Sequence, residues 1–334
     1  MEHRSLRTII TGGGGSLNGP VRETGFDIVT ASEIMAILAL ASDIENLRDR
    51  LSKIVVGFTI EGSPVSASDI GAVGSMMSLL RHAIQPNLVQ TTEGQPVIVH
   101  SGPFGNIAHG CSSVIGDSIG IGYADYVLTE AGFGADLGFE KFMHIKARFN
   151  DLEPNAAVIV ASARALKSHG GVLRRELDKP NIEALEKGIS NLTHLIGMIK
   201  SFNLPVVVAI NRFPDDHAEK IAAIKYHSEN VGAVAAVESL AFTEGGSGTV
   251  DLAAAVIAAC EGDLPNISYM YEENSTPQEK VSALARGVYN ASDVSWPLSA
   301  RRQIRRYTEL GWGDLPICMA KTQLSISHNS RLKG

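Results

Sequence analysis

The chain has 334 residues, 44% of them hydrophobic and 19% charged, with 33 glycines and 6% aromatics. That length holds two or three domains, and the composition excludes wholesale disorder and a collagen-like fibre. Twenty-nine basic residues against 36 acidic ones leave a formal charge of −7, which argues against a generic nucleic-acid binder.

In chain order, a strand-like stretch at 6–11 leads into Thr11-Gly12-Gly13-Gly14-Gly15-Ser16. This run is a flexible turn rather than a phosphate loop. Leu17 stands where GxGxxG needs its third glycine, and no Gly-Lys dipeptide occurs in the sequence. From residue 50 the pattern alternates. Short β-branched runs at 54–60, 96–100, 126–129, 157–161, 205–210 and 232–237 read as buried strands. Helical stretches at 66–83, 106–120, 140–148, 182–201, 216–230 and 250–260 lie between them. Apolar strands separated by amphipathic helices predict an α/β fold, a doubly wound, mostly parallel sheet covered on both faces. Ligands of such sheets bind beyond the carboxyl ends of the strands.

After residue 262 the chain turns polar, with a loop at 263–275 and a small terminal module carrying Trp296 and Trp312. Arg301, Arg302, Arg305 and Arg306 read as a solvated helix face, with a phosphate-gripping stripe as the other reading. Cys111, Cys260 and Cys318 are dispersed, so neither a disulfide framework nor a structural metal site is expected. Apolar runs at 34–41 and 231–237 are too short to span a bilayer, and Met1-Glu2-His3-Arg4 has no signal-peptide core. The expected setting is cytoplasmic, without membrane or nucleic-acid partners.

Two segments concentrate chemistry. His100-Ser101-Gly102-Pro103-Phe104-Gly105-Asn106-Ile107-Ala108-His109-Gly110-Cys111 follows a strand and opens a helix. Glycines there let backbone N–H groups approach an anion, while the histidines and Asn106 offer a proton acceptor and polar anchors. Phe133, between glycines in Thr129-Glu130-Ala131-Gly132-Phe133-Gly134-Ala135-Asp136-Leu137-Gly138, leaves the periodic pattern. Phe213 in Asn211-Arg212-Phe213-Pro214 and Phe242 before Thr243-Glu244-Gly245-Gly246 repeat that arrangement. Three strand-end aromatics predict a flat heteroaromatic ligand.

These residues resemble formate–tetrahydrofolate ligase, also called formyltetrahydrofolate synthetase. Besides the two segments above, the resemblance rests on Gly25-Phe26-Asp27-Ile28, Ala31-Ser32-Glu33-Ile34-Met35-Ala36-Ile37, Arg164-Ala165-Leu166-Lys167 with His169-Gly170-Gly171, and Cys318-Met319-Ala320-Lys321-Thr322-Gln323. It runs in order along essentially the whole chain. The resemblance implies an ATP-dependent C–N ligase. ATP with Mg2+ and formate make formyl phosphate, N10 of tetrahydrofolate attacks the formyl carbon, and phosphate leaves. It also implies a monovalent cation and a homotetramer.

By the same resemblance Phe133 and Phe242, the latter often Trp in the family, sandwich the pterin ring. Phe213 and Pro214 line its pocket, and Asn106 and His109 shape the neighbouring site. His100 is the candidate acceptor for the N10 proton. The family's P-loop lysine and its formyl-phosphate arginine lie N-terminal to the matched region, so no nucleotide-binding residue is assigned. The implied division is 1–187 as the rear of a P-loop NTPase-like large domain, 188–287 as a second α/β domain, and 288–334 as part of a third. The isolated chain is therefore expected to be an inactive piece of the ligase. The alternatives are a non-catalytic folate-binding or tetramer-completing module, and a dinucleotide-dependent oxidoreductase, which the missing GxGxxG disfavours.

Overall fold

The computed structural model describes residues 3–105, 108–320, 325–327 and 329. The chain divides into two compact units, one spanning Met1–Phe133 with Cys318–Ala320 and the other beginning at Gly134.

The first unit contains three antiparallel hairpins: β1 (Ile9–Thr11) with β2 (Arg22–Thr24), β3 (Val55–Phe58) with β4 (Pro64–Ser66), and β5 (Asn87–Gln90) with β6 (Pro96–Val99). Its core is helical. In α1 (Glu33–Leu40), α2 (Ile44–Ser52) and α3 (Val73–Leu80), Leu38, Leu47, Leu51 and Met77 pack together. Ser32 and Asp43 cap α1 and α2 by accepting the amides of Met35 and Asn46, as short polar side chains do at helix starts. Helix α4 (Val114–Tyr123) begins at Ser113, whose hydroxyl accepts Gly116 N–H at 2.8 Å.

This unit departs from the expected parallel sheet. The strands at 54–60 and 96–100 exist, shortened, but each pairs with a hairpin neighbour. The connections at 59–63 and 91–95 are too short for a parallel crossover. Residues 126–129 form no strand. The predicted helix at 66–83 starts only at Val73, because β4 and a turn through Gly71 at φ +70° precede it. Leu88, Val89, Val97 and Val99 on the last hairpin are exposed.

The second unit carries the predicted parallel sheet in the order β7 (Ala157–Ala161), β8 (Val206–Asn211), β9 (Ala235–Ser239). Ala157 registers with Val206, and Val207 with Ala235. Every residue of β8 except Asn211 is buried, as befits a central parallel strand. Helices α5 (Ala163–His169), α6 (Ile182–Lys200), α7 (Ala218–Val231), α8 (Ala241–Glu244) and α9 (Val250–Cys260) follow the strands. Strand β9 starts later than the predicted 232, because Gly232 at φ +101° is the left-handed cap of α7.

Residues 142–147 wind as a π-helical turn where an ordinary helix over 140–148 is expected, and residues 135–139, in the glycine-rich stretch, form another. Residues 263–275 are loop, as predicted, before α10 (Pro277–Tyr289) and α11 (Leu298–Glu309). The four arginines lie on α11, which has no buried residue. Met270 N–H donates to His144 Nε2 at 3.2 Å, so Nδ1 carries the proton given to Glu140 at 2.9 Å. Burial, with Glu140 nearby, pushes the Tyr289 hydroxyl above its ordinary range. It therefore stays protonated and donates to the Asp136 carbonyl at 3.0 Å.

Helices α5 and α6 approach backbone to backbone. A Cβ on Gly188 would overlap the Leu166 carbonyl, and one on Gly170 the Ala184 carbonyl. Gly188→Ala forces the pair apart and is expected to cost about 2 kcal/mol, as overpacking does. Urea unfolding of the whole chain reads this, and an unchanged midpoint would refute the close approach.

Candidate functional site

Parallel strands end together, so whatever follows β7, β8 and β9 gathers at one edge of the second unit. Ser162 caps α5 after β7 by accepting Ala165 N–H, and Arg164 stands in the first turn. After β8 come Arg212, Phe213 and Pro214, and after β9 comes Phe242 on α8. The rings of Phe213 and Phe242 lie 6.1 Å apart, inclined by 46°. Phe242 is 78% exposed, an apolar ring left in water at a strand end. The Arg164 guanidinium lies 5.7 Å from the Phe213 ring centroid.

The turn that presents Phe213 is locked from below. Asp216 N–H donates to the Phe213 carbonyl at 2.9 Å, and Phe213 N–H donates back to Asp216 Oδ2 at 3.1 Å. The other carboxylate oxygen lies 3.7 Å from the buried Lys220 ammonium. Lys167, also buried, donates to the carbonyls of Leu177 and Lys179. Burial, with Lys220 nearby, holds its ammonium below the ordinary lysine range. Arg212 ties β8 to β9 through Glu238 at 2.6 Å and through its own amide to the Ser239 carbonyl.

In the first unit both assigned histidines are buried with both ring nitrogens engaged. His100 Nε2–H donates to the Ala83 carbonyl at 2.8 Å, and Nδ1 shares a hydrogen bond of 2.7 Å with the Ser113 hydroxyl. His109 Nε2–H donates to the Ala36 carbonyl at 3.0 Å, while Nδ1 accepts Cys111 N–H at 3.2 Å. Carbonyls only accept, so each Nε2 carries a proton, and His109, whose Nδ1 accepts an N–H, is the neutral Nε2–H tautomer. Asn106 lies outside the described residues.

Gly132 N–H donates to the Gly110 carbonyl at 2.8 Å, sewing the two glycine-rich loops together. Beside them Asp117 Oδ1 accepts the hydroxyls of Thr129 at 2.9 Å and Ser112 at 3.3 Å. Phe133 ends this unit at φ +75° and 69% exposed. A bulky side chain in the left-handed region carries strain of about 1–3 kcal/mol, which proteins retain mainly at functional positions.

Of the sequence-assigned residues, Phe213, Pro214 and Phe242 belong to one built edge, while His100, His109 and Phe133 belong to the first unit. Sequence reading assigned no role to Arg164, Asp216, Lys220 or Glu238. Two signals were available: Arg164 opens a helix directly after a strand, and Pro214 with Asp216 two residues on marks a self-capped turn. Among the described residues no group of three or more His, Cys, Asp or Glu could hold a metal. No helix of these residues is long and apolar enough to cross a membrane.

The family described as formate–tetrahydrofolate ligase matches residues 1–334. Curated relatives bearing that same name include one from Roseiflexus sp. (strain RS-1), 50% identical over all of this chain. Others come from Desulforamulus reducens, 48% identical over 99% of the chain, and Hyphomonas neptunium, 49% identical over all of it. The chain spans 60% of the length of each.

Removing the Asp216 carboxylate strands a buried ammonium. Asp216→Ala should destabilise the chain by about 3 kcal/mol, and Asp216→Asn, which keeps an acceptor for the Phe213 amide, by less. Calorimetric unfolding compares them, and equal losses would assign the whole effect to the Lys220 ion pair.

Proposed function

The chain belongs to the formate–tetrahydrofolate ligase family, and from that premise we propose that its second unit carries a pteridine-binding edge for the reaction of ATP, formate and tetrahydrofolate to 10-formyltetrahydrofolate, ADP and phosphate. The observation that carries this is the Phe213–Phe242 pair, 6.1 Å apart at the carboxyl ends of adjacent parallel strands. Ring faces left in water there suit stacking on a flat heterocycle. Pro214 follows Phe213 directly. For Phe133, Asn106 and His109 a part in substrate binding is proposed on family membership alone.

For the proton that N10 loses we assign His100, with a condition set by its geometry. Its ring is buried, with Nε2 on the Ala83 carbonyl and Nδ1 2.7 Å from the fully buried Ser113 hydroxyl, so N10 reaches it only if this packing opens. Attack on the formyl carbon expels phosphate, and the charge of formyl phosphate must be met by residues this chain has not been assigned. Among the described residues no group of three or more His, Cys, Asp or Glu could hold Mg2+.

The same reading makes 1–187 the rear of a doubly wound, P-loop NTPase-like domain, 188–287 a second α/β domain and 288–334 the start of a third, in a cytoplasmic homotetramer. Exposed Leu88, Val89, Val97 and Val99 favour a second reading, in which the chain completes an assembly with another ligase chain.

The purified chain is expected to bind tetrahydropteroylmonoglutamate in calorimetry yet transfer no labelled formate in the presence of ATP. Phe242→Ala should weaken binding about tenfold, and Phe242→Trp should tighten it by its larger ring area. Binding unaffected by either change would remove the aromatic pair from the site.

A further inference from the structure

At the edge that carries the aromatic pair, one cation has donors to spare. Arg164 sits in the first turn of α5, just beyond the end of β7, with 41% of its side chain exposed. A terminal nitrogen of its guanidinium is ion-paired with Asp178. The Nε–H is buried and has no hydrogen-bond partner among the described residues. A guanidinium offers five donors in a rigid fork, and a desolvated donor left unpaired is a standing cost that an incoming acceptor relieves.

The placement of this group is enforced. Lys167, three residues along the same helix, donates to the carbonyls of Leu177 and Lys179, the residues either side of Asp178. One buried ammonium thus holds the segment whose carboxylate holds Arg164. The close approach of α5 and α6 at Gly188 fixes the helix that carries both. With Asp178 on one terminal nitrogen, the exposed part of the guanidinium keeps donors for a ligand. The guanidinium carbon lies 5.7 Å from the centroid of the Phe213 ring, within reach of a ligand held at that ring.

We propose that Arg164 is a ligand-binding residue, donating from its guanidinium to the acceptor edge of a flat heteroaromatic ring held at Phe213 and Phe242. The class of ligand is a heterocycle with ring-nitrogen and lactam-oxygen acceptors side by side, which a planar fork meets with two hydrogen bonds and an ammonium does not. This rests on the pteridine reading above and adds to it the residue that orients the ring.

Calorimetry on the full chain tests it with two probes kept reduced: 6-methyltetrahydropterin, which has no glutamate tail, and tetrahydropteroylmonoglutamate. Arg164→Met is expected to weaken both about ten- to hundredfold, and Arg164→Lys to recover part of that loss, since charge returns without the fork. Arg164→Lys also carries the test should the Met variant fail to fold, as judged by its melting temperature. The inference is overturned, and the pteridine reading kept, if Phe242→Ala weakens binding while both Arg164 variants match the unmodified chain. It is likewise overturned if the loss appears with the tailed probe alone. No binding of either probe by the unmodified chain overturns both.

Discussion

An ammonium group shut away from water must find carbonyl or carboxylate oxygens or lose its charge, and several buried lysines of the second unit, Lys167, Lys220 and Lys280 among them, organise it in this way. Lys167 holds the carbonyls of Leu177 and Lys179, Lys220 faces Asp216, and Lys280 holds the carbonyls of Asp314 and Leu315. Each joins a helix to a stretch of irregular chain that has no ladder of its own. The helices are placed by apolar packing on β8, and the loops are then placed by the helices. The candidate site inherits its geometry from that second step.

This division of labour explains why the site edge combines exposed aromatics with firm backbone. Phe242 reaches solvent, and Phe213 stands on a turn whose amide and carbonyl are both engaged by Asp216. A loop ordered by hydrogen bonds beneath it can hold an apolar ring in water without collapsing onto the core, because the backbone has no slack to let the ring turn inward. The first unit does something similar by another means. His100 and His109 stitch loops to backbone carbonyls, and the strain at Phe133 is borne where the loops at 110 and 132 are joined.

Legibility followed how locally each feature is determined. Strands β7 and β8 and helices α6, α7 and α9 came within a few residues of their observed bounds, because a buried parallel strand and a long amphipathic helix write their periodicity into the residues themselves. The partners of β3 and β6 were not legible. An apolar run such as Pro96-Val97-Ile98-Val99 is compatible with either pairing, and only the short connection from β5 decides for a hairpin. Helix starts were lost to backbone detail, with Gly71 and Gly110 in left-handed conformations that a residue-type pattern does not reveal. At the site, aromatics flanked by glycine or proline stood out. Asp216 and Lys220 did not, because an acid and a base four residues apart on a helical stretch look the same whether they face solvent or each other in the interior.

The contrast between the sheets also bears on how the chain reaches this structure. Each hairpin of the first unit closes across a turn, so its pairing can form and re-form locally and early. In the second unit Ala157 meets Val206 only after the whole of α5 and α6 has been threaded between them, and Val207 meets Ala235 only after α7. Loop closure over such distances carries an entropy that compact helices reduce by shortening the path. Strand pairing in the unit that carries the aromatic edge therefore depends on helices that bring distant residues together, a requirement the hairpins of the first unit do not have.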